Sequence, residues 1–298
     1  MVSLTALSTM ARTETRFGGP LSRASMSLWP LHPEDAGPDA LFGKVIEAGE
    51  ASGWPELGPP PTVVFLHGLV GLNDHWEEVV AKIRDRVRCV LFELPLLRLE
   101  GEDCSIQGVT RLTSRFLRES GLGPCVLVGN SFGGHVALRL AIEEPELVRG
   151  LVLAGSSGLI EKSIVADVQI RPSREWLGRK VGELFFDQRF MREADLDRAY
   201  AELTDRHGAR AMVKLSRSAR RDVLREQIAR IVAPTLLIWG KQDVVTPMEA
   251  ALGFAERIGP SRLVVYERCG HVPMIEQAET FAADMLEFVR SLCEQPAA

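Results

Sequence analysis

The sequence predicts an α/β protein in which helices cover both faces of a mostly parallel central sheet. Short apolar runs such as Thr62–Leu66 and Val148–Ala154 are typical of strands that are buried on both faces. Amphipathic stretches such as Ile106–Glu119 lie between such runs, which indicates that strands and helices alternate. One apolar run also ends in a Gly-x-Ser-x-Gly turn at residues 129–133, which is typical of a strand that leads directly into a helix.

The alternation locates the elements of the predicted core. We expect strands at 62–66, 88–94, 125–129, 148–154, 234–240 and 261–266, and helices at 74–83, 106–119, 136–141 and 280–292. Residues 159–230 are instead rich in Arg, Glu and Asp and contain no strand pattern. We therefore predict a core formed by residues 43–158 and 231–298, with a helical cap inserted at residues 159–230.

The N-terminal segment 1–42 is predicted to be a flexible, loop-rich leader. Proline and glycine punctuate the chain between residues 27 and 61, and this composition marks loops and short edge strands. Residues 43–48 are the best candidate for an edge strand. The first 26 residues have no sustained apolar run behind a basic start, which argues against a signal peptide.

Composition and charge narrow the class of protein. The 298 residues are 46% apolar and 25% charged, as in an ordinary globular protein. A net charge of −5 gives no support for nucleic acid or an anionic membrane as a partner, and no apolar run reaches the roughly 20 residues of a spanning helix. The five cysteines have spacings that match no metal or disulfide framework, so we predict no metal site and a cytoplasmic location.

The candidate nucleophile is a serine at the end of a strand. The apolar run that ends at Gly129 continues through Asn130, Ser131, Phe132 and Gly133 into a helical stretch. Strand, tight turn and helix with a serine at the apex describe a nucleophile elbow. A strained backbone at the serine projects its hydroxyl from the sheet, and the flanking glycines let strand and helix approach closely.

A serine hydroxyl needs a positioned base, and a base of this kind needs a carboxylate to orient it. His271 follows the strand at 261–266 in a Cys-Gly-His turn, and we predict that it is the base. Asp243 follows the strand at 234–240, and we predict that it is the orienting carboxylate. The order serine, aspartate, histidine along the chain matches one known order of such triads.

Acyl transfer also needs two N–H donors for the developing oxyanion. The backbone N–H of Phe132 is one candidate, and that of Leu69, in the loop after His67 and Gly68, is the other. Gly68 is expected to permit the unusual backbone of this loop, and His67 to brace it by hydrogen bonds. Asn130 is expected to brace the oxyanion loop or to contact the substrate.

Four stretches of the sequence, 65–68, 128–134, 237–243 and 269–271, resemble the α/β-hydrolase superfamily. The Gly-Asn-Ser-Phe-Gly-Gly-His elbow and the Cys-Gly-His turn look most like the branch of carbon–carbon bond hydrolases that cleave meta-ring-fission products, and related esterases. The resemblance implies an α/β-hydrolase fold with a helical cap, and catalysis without a cofactor.

One segment departs from the superfamily pattern. Where many members have Asp-Leu-Pro-Gly-x-Gly, residues 92–98 of this chain have leucines in place of the glycines. In relatives this loop borders the mouth of the pocket. The leucines either make the entrance more apolar, which fits a neutral ester better than a dianionic dienoate, or serve packing alone.

Three functions compete on these observations. The first is a serine hydrolase that cleaves a small-molecule carboxylic ester or a related acyl substrate through an acyl-enzyme. The second is a carbon–carbon bond hydrolase of meta-ring-fission products with the same triad, and the third is a non-catalytic ligand-binding protein of this fold. A serine at position 131 excludes haloalkane and epoxide hydrolase chemistry, because those reactions require an aspartate there.

Overall fold

The computed structural model describes residues 11–13, 24–32, 34, 40–48, 51–71, 73–160 and 172–294. In these residues nine strands form one sheet: β1 Ala11–Thr13, β2 Ser25–Pro30, β3 Phe42–Ala48, β4 Thr62–Leu66, β5 Arg88–Glu93, β6 Cys125–Asn130, β7 Val148–Ala154, β8 Thr235–Gly240 and β9 Ser261–Tyr266. All six strands that the sequence predicts for the core are present, with ends within about one residue of the expected positions.

The strand order across the sheet is β1-β2-β3-β5-β4-β6-β7-β8-β9. The pairs β1–β2, β2–β3 and β3–β5 are antiparallel, and every pair from β5 to β9 is parallel. The parallel part brings the carboxyl ends of β4, β6, β8 and β9 to one edge of the sheet, where reactive groups of such folds collect. The predicted α/β fold class is confirmed.

Helices cover both faces of the sheet. The described residues contain α1 Glu77–Ile83, α2 Ile106–Glu119, α3 Phe132–Glu143, α4 Arg174–Gly182, α5 Glu193–Thr204, α6 Arg206–Arg221, α7 Met248–Arg257, α8 Pro273–Glu276 and α9 Ala278–Glu294. Buried apolar side chains of α1 and α9 form the core on one face. Those of α2, α3 and α7 form a second core on the other face. None of these helices is long and apolar enough to cross a bilayer.

Two predictions for the N-terminal region need correction. Residues 25–30, assigned to the leader 1–42, form β2, and β3 is an interior strand because it pairs with β2 on one side and β5 on the other. The cause is Trp29, whose ring packs edge-on against Phe92 and Phe116 and buries this part of the chain. Residues 1–10, 14–23, 33 and 35–39 of the predicted leader lie outside the described residues.

Three helices, α4, α5 and α6, lie between β7 and β8, and we call them the cap helices. Their described stretch, residues 172–230, contains no strand, as the sequence predicts, and residues 161–171 lie outside the described part of the chain. The helix α6 is tied to the core through Ser218, whose hydroxyl accepts a hydrogen bond from the Ile106 N–H at 3.0 Å. We propose that the chain divides into a core of residues 43–158 and 231–298 and a cap of residues 159–230.

Candidate active site

The turn between β6 and α3 holds Ser131 in a strained conformation. Its φ is 53° and its ψ is −117°, so it lies in the left-handed region that non-glycine residues rarely adopt. A Cβ atom at Gly129 would lie 2.5 Å from the Gly133 carbonyl oxygen, and one at Gly133 would collide with the Leu66 carbonyl. The strand, the turn and the helix therefore meet too closely for side chains, and Ser131 is left at the apex.

His271 and Asp243 meet at the same edge of the sheet. The Nδ1 atom of His271 lies 2.8 Å from Oδ2 of Asp243, and both side chains are buried. The other carboxylate oxygen, Oδ1, accepts hydrogen bonds from the N–H groups of Val245 and Thr246 at 2.8 and 2.9 Å. Thr246 Oγ1 also donates to Oδ2 at 2.8 Å. With the carboxylate accepting, the proton belongs on Nδ1, which leaves Nε2 of His271 as a base.

The loop that carries His271 is held by a residue that the sequence reasoning missed. Glu276 Oε1 accepts a hydrogen bond from the Gly270 N–H at 2.6 Å, and its Oε2 accepts from the N–H groups of Phe186 and Asp187. The His271 N–H donates to the Leu184 carbonyl at 2.7 Å. The stretch after α4 is therefore bonded directly to the histidine loop. The signal for this role in the sequence is a glutamate three residues after Pro273, at the end of the short helix α8.

Asn130 joins the nucleophile turn to the histidine loop. Its side chain is buried, and Nδ2 donates to the carbonyls of Ala154 at 2.9 Å and His271 at 3.0 Å. Of the two roles expected for this residue, bracing is the one that these contacts support. The loop that the hydrogen bond to His271 reaches is that of the candidate base, and Asn130 also lines the cavity at Ser131. Asn130 is thus a positioning residue.

Replacing Asn130 with Ala should lower kcat about 10- to 100-fold with little change in KM, because the histidine loop loses its link to the elbow. Two buried carbonyls would lose donors, so unfolding free energy should fall by about 1–3 kcal/mol. Urea denaturation and steady-state kinetics would measure both. Asn130→Asp places an oxygen against the same carbonyls and should be at least as damaging. An Asn130→Ala enzyme with native kcat would contradict the positioning role.

His67 connects the loop after β4 to the loop after β5 by two hydrogen bonds. The Leu94 N–H donates to Nε2 of His67 at 3.2 Å, so Nδ1 carries the proton and donates to the Gly68 carbonyl at 2.8 Å. Burial lowers the pKa of His67 below its ordinary value, which favours this neutral ring. Gly68 and Leu69 line the cavity above Ser131, and Phe132 is the first residue of α3.

A second histidine–aspartate pair lies on the far side of the elbow helix. The ring of His135 is fully buried, and its Nε2 lies 2.9 Å from Oδ2 of Asp222, the residue directly after α6. Arg139 donates to both oxygens of the same carboxylate at 2.8 Å. Burial alone would raise the pKa of Asp222, but the bonds from His135 and Arg139 hold it below the usual range. This pair links α3 to the end of the cap helices.

Ser131 and His271 line a cavity of about 170 Å³ between the sheet edge and the cap helices. A cavity of about 150 Å³ can hold one benzene molecule, so this space suits a compact group. Most of its wall is apolar, with Trp176, Leu203 and Met212 contributed by the cap helices. Polar groups besides the candidate site residues are few and come from the side chains of His75, Lys180, Asp195 and Ser216.

A charged group of five residues, which we call the His75 cluster, adjoins this cavity: Asp74, His75, Arg192, Asp195 and Arg198. Nε2 of His75 lies 3.5 Å from Oδ2 of Asp195. Burial would raise the pKa of Asp195, but His75 and Arg192 outweigh it and hold that pKa well below its usual range. Asp74, His75 and Asp195 have the spacing of metal ligands, yet two guanidinium groups already neutralise their carboxylates.

The leucines of the segment 92–98 serve packing. Leu94, Leu96 and Leu97 are buried in the core on the α2 and α3 face, and α6 packs over Leu96–Arg98. The residues that line the cavity at Ser131 do not include them. Of the two interpretations of this segment, the structure supports the one that assigns the leucines to the core.

Comparison with known proteins gives three kinds of match. A family model described as "Alpha/beta hydrolase family" matches residues 63–284. The 2-hydroxymuconate semialdehyde hydrolase of Pseudomonas sp. (strain CF600) is 35% identical over 173 residues, which span 55% of this chain and 61% of that protein. Monoacylglycerol lipase ABHD6 of Mus musculus is 26% identical over 79% of this chain and 77% of its own length.

Among solved structures, this chain is similar to a serine hydrolase involved in carbazole degradation, the CarC enzyme. The two have a TM-score of 0.69 and 26% sequence identity. The match covers 84% of this chain and 95% of that one. A semialdehyde hydrolase and a lipase are therefore both among the proteins to which this chain is similar.

Proposed function

Because this chain belongs to the alpha/beta hydrolase family, we propose that it is a serine hydrolase that cleaves a carboxylic ester. One observation carries the proposal. Ser131, on its strained turn, and His271, which is paired with the buried Asp243, line the same small cavity. A nucleophile, a base and an orienting carboxylate in this arrangement suit acyl transfer.

In the proposed reaction, Nε2 of His271 takes the proton of the Ser131 hydroxyl as its oxygen attacks the ester carbonyl carbon. Asp243 stabilises the imidazolium that forms. The N–H groups of Phe132 and Leu69 are the proposed donors to the oxyanion. The tetrahedral intermediate collapses when the ester C–O bond breaks, and His271 protonates the departing alkoxide. His271 then deprotonates a water, whose oxygen attacks the carbonyl carbon of the acyl-enzyme. The bond from that carbon to Ser131 Oγ breaks, the acid is released, and His271 returns the proton to the Ser131 oxygen.

Charge around the cavity favours a neutral ester over a dianionic dienoate. In the His75 cluster two carboxylates, those of Asp74 and Asp195, are paired with two guanidinium groups, so these four charges compensate one another. Lys180, on the cavity wall, has its Nζ 3.0 Å from the Glu183 carboxylate. A doubly charged substrate would need an uncompensated cation here, and these contacts favour a substrate without charge.

Carbon–carbon bond hydrolysis is the second candidate. It is supported by the name of the Pseudomonas relative, a 2-hydroxymuconate semialdehyde hydrolase. It is also supported by the structure of the CarC enzyme, whose fold is similar to that of this chain. The same serine and histidine would serve that reaction, so substrate preference is the property that separates the two functions.

The deciding experiment offers purified protein p-nitrophenyl acetate, butyrate and octanoate beside a meta-ring-fission dienoate. We expect kcat/KM for the butyrate ester to exceed that for the dienoate by about 10²-fold or more, because the cavity is compact and its charges are compensated. Octanoate should be the poorest ester. Stopped-flow measurement of p-nitrophenolate should show a burst if an acyl-enzyme accumulates.

The Ser131→Ala protein is the control for both substrates, since any turnover that it retains does not come from the proposed site. Dienoate turnover with negligible ester cleavage would overturn the ester proposal in favour of the second candidate. No turnover of either substrate, together with tight binding of a small ligand, would instead indicate a non-catalytic protein.

A further inference from the structure

The helix α6 concentrates positive charge in a chain whose net charge is −5. Its sixteen residues contain no Asp or Glu, and they contain six cations: Arg206, Arg210, Lys214, Arg217, Arg220 and Arg221. Five of these, all but Arg220, line one groove of about 1140 Å³ on the surface of the cap. We call this groove the α6 groove. The groove is also lined by Cys104, Ser105 and Gln107, around the N-terminal end of α2.

The arginines of the α6 groove are not used in ion pairs. Among the described residues, no carboxylate lies within salt-bridge distance of Arg206, Arg210, Arg217 or Arg221, although the other cap helices pair Arg174, Arg179 and Arg198 with acids. The one carboxylate in the groove wall, Asp222, is already bonded to His135 and Arg139. The groove therefore presents cations that have no counter-ion from the described part of the chain.

This placement does not serve the stability of α6. Arg206, Arg210 and Lys214 follow one another at intervals of four residues, as do Arg217 and Arg221, so like charges face each other along the helix. Arg206 also lies in the first turn, where the helix dipole disfavours a cation, whereas Arg221 lies in the last turn, where the dipole favours one. A bound anion would relieve the repulsion between the neighbouring cations and the unfavourable position of Arg206.

We propose that the α6 groove binds a ligand that carries several phosphate groups. Four of its five cations are arginines, whose planar guanidinium groups bind phosphate oxygens in pairs. Ser105, Gln107 and Ser218 line the same groove, but their donors are already bonded to the Glu102 carbonyl, to Asp222 and to Gln107, so the cations carry the recognition. The groove is concave, which fits a free phosphate-bearing molecule better than the flat headgroup surface of a bilayer.

The groove is distinct from the cavity at Ser131. Met212 and Ser216 of α6 line that cavity, whereas Arg210, Lys214 and Arg217 of the same helix line the groove. The helix thus forms a wall with the candidate active site on one side and the cationic surface on the other. Binding to the groove can be measured without any reaction at Ser131, so the two proposals succeed or fail separately.

The test is calorimetric titration of the full chain with inorganic tripolyphosphate, with ATP and with phosphatidylglycerol vesicles as further arms. We expect saturable binding of tripolyphosphate that weakens as salt rises from about 50 to about 150 mM, as for exposed charges. Arg210→Glu/Arg217→Glu should raise Kd by at least about tenfold, because two charge-assisted contacts are lost and two repulsive ones appear. Tighter binding of ATP than of tripolyphosphate would indicate a nucleotide as the source of the phosphates.

A matched control carries the same change of net charge elsewhere. Lys82 on α1 and Arg230 after α6 are exposed and do not line the groove, so Lys82→Glu/Arg230→Glu should bind tripolyphosphate as the unaltered protein does. Equal weakening in both double variants would overturn the proposal, since it would reflect net charge alone. Absence of binding by all soluble phosphates, or binding only to the vesicles, would overturn it as well. Circular dichroism melting would show that both variants are folded.

Discussion

Ser131→Ala should lower kcat for ester hydrolysis by roughly 10⁴- to 10⁶-fold, the range seen when the nucleophile of a serine triad is removed. The hydroxyl is the atom that forms the acyl bond, and no other group in the turn replaces it. The burst of p-nitrophenolate should disappear with it. Folding should be unaffected, because alanine keeps the Cβ and can occupy the same strained turn. Steady-state and stopped-flow assays would measure the loss, with thermal melting as the check on folding.

The matched control for this loss is Ser291→Ala, which removes a serine hydroxyl from α9 far along the chain from the elbow. It should keep kcat within about twofold. Because Ser131 and His271 act as one unit, the losses in kcat should not multiply. The kcat of the double variant Ser131→Ala/His271→Ala should lie within about tenfold of that of either single variant. A Ser131→Ala enzyme with a tenth or more of native turnover, or losses that multiply in the double variant, would contradict the assignment.

Asp243→Asn should lower kcat by about 10⁴-fold while leaving KM within a few-fold. Oδ1 accepts from two backbone N–H groups, so the amide NH₂ of asparagine must take the Oδ2 position, where it faces His271 Nδ1. An N–H there requires Nδ1 of His271 to accept, which places the imidazole proton on Nε2. The base is then absent although every side chain keeps its place. Steady-state kinetics of the variant, measured at each pH at which the native enzyme is active, would give the loss in kcat.

Thr246→Val is the control that separates orientation from charge. It removes one donor to Oδ2 but leaves the carboxylate of Asp243 and its bond to His271 in place. Its kcat should fall by no more than about tenfold, because the carboxylate loses one hydroxyl donor but keeps its charge and its bond to His271. If Thr246→Val were as slow as Asp243→Asn, the carboxylate would not be acting through the tautomer of the histidine.

The sequence was most informative where a single local property decides the structure. The strands β4, β7 and β9 begin and end at the predicted residues, because their apolar runs stop at polar or glycine residues. The strand β2 was missed because Pro30 and Pro33 give its surroundings the composition of a loop. What makes it a strand is the packing of Trp29 on Phe92 and Phe116, side chains that are far away along the chain.

The candidate site shows the same division. Turn chemistry and chain order, which are local signals, predict Ser131, Asp243 and His271 as the triad. The bond from Asn130 to the His271 carbonyl spans 141 positions, and nothing near Asn130 in the sequence indicates its partner. The leucines of the 92–98 segment were open to two interpretations, because burial under α6 depends on where the cap helices lie.

Glu276 connects the histidine loop to the cap through hydrogen bonds. This connection limits how the substrate range could be altered by exchanging the cap for that of another hydrolase. One carboxylate fixes Gly270 on the histidine loop and also residues 186 and 187 after α4. A graft that kept every residue of the core but replaced residues 184–187 would release the histidine loop from two of its anchors. A donor cap should therefore be joined on the C-terminal side of Asp187, or carry the backbone geometry of residues 184–187 with it.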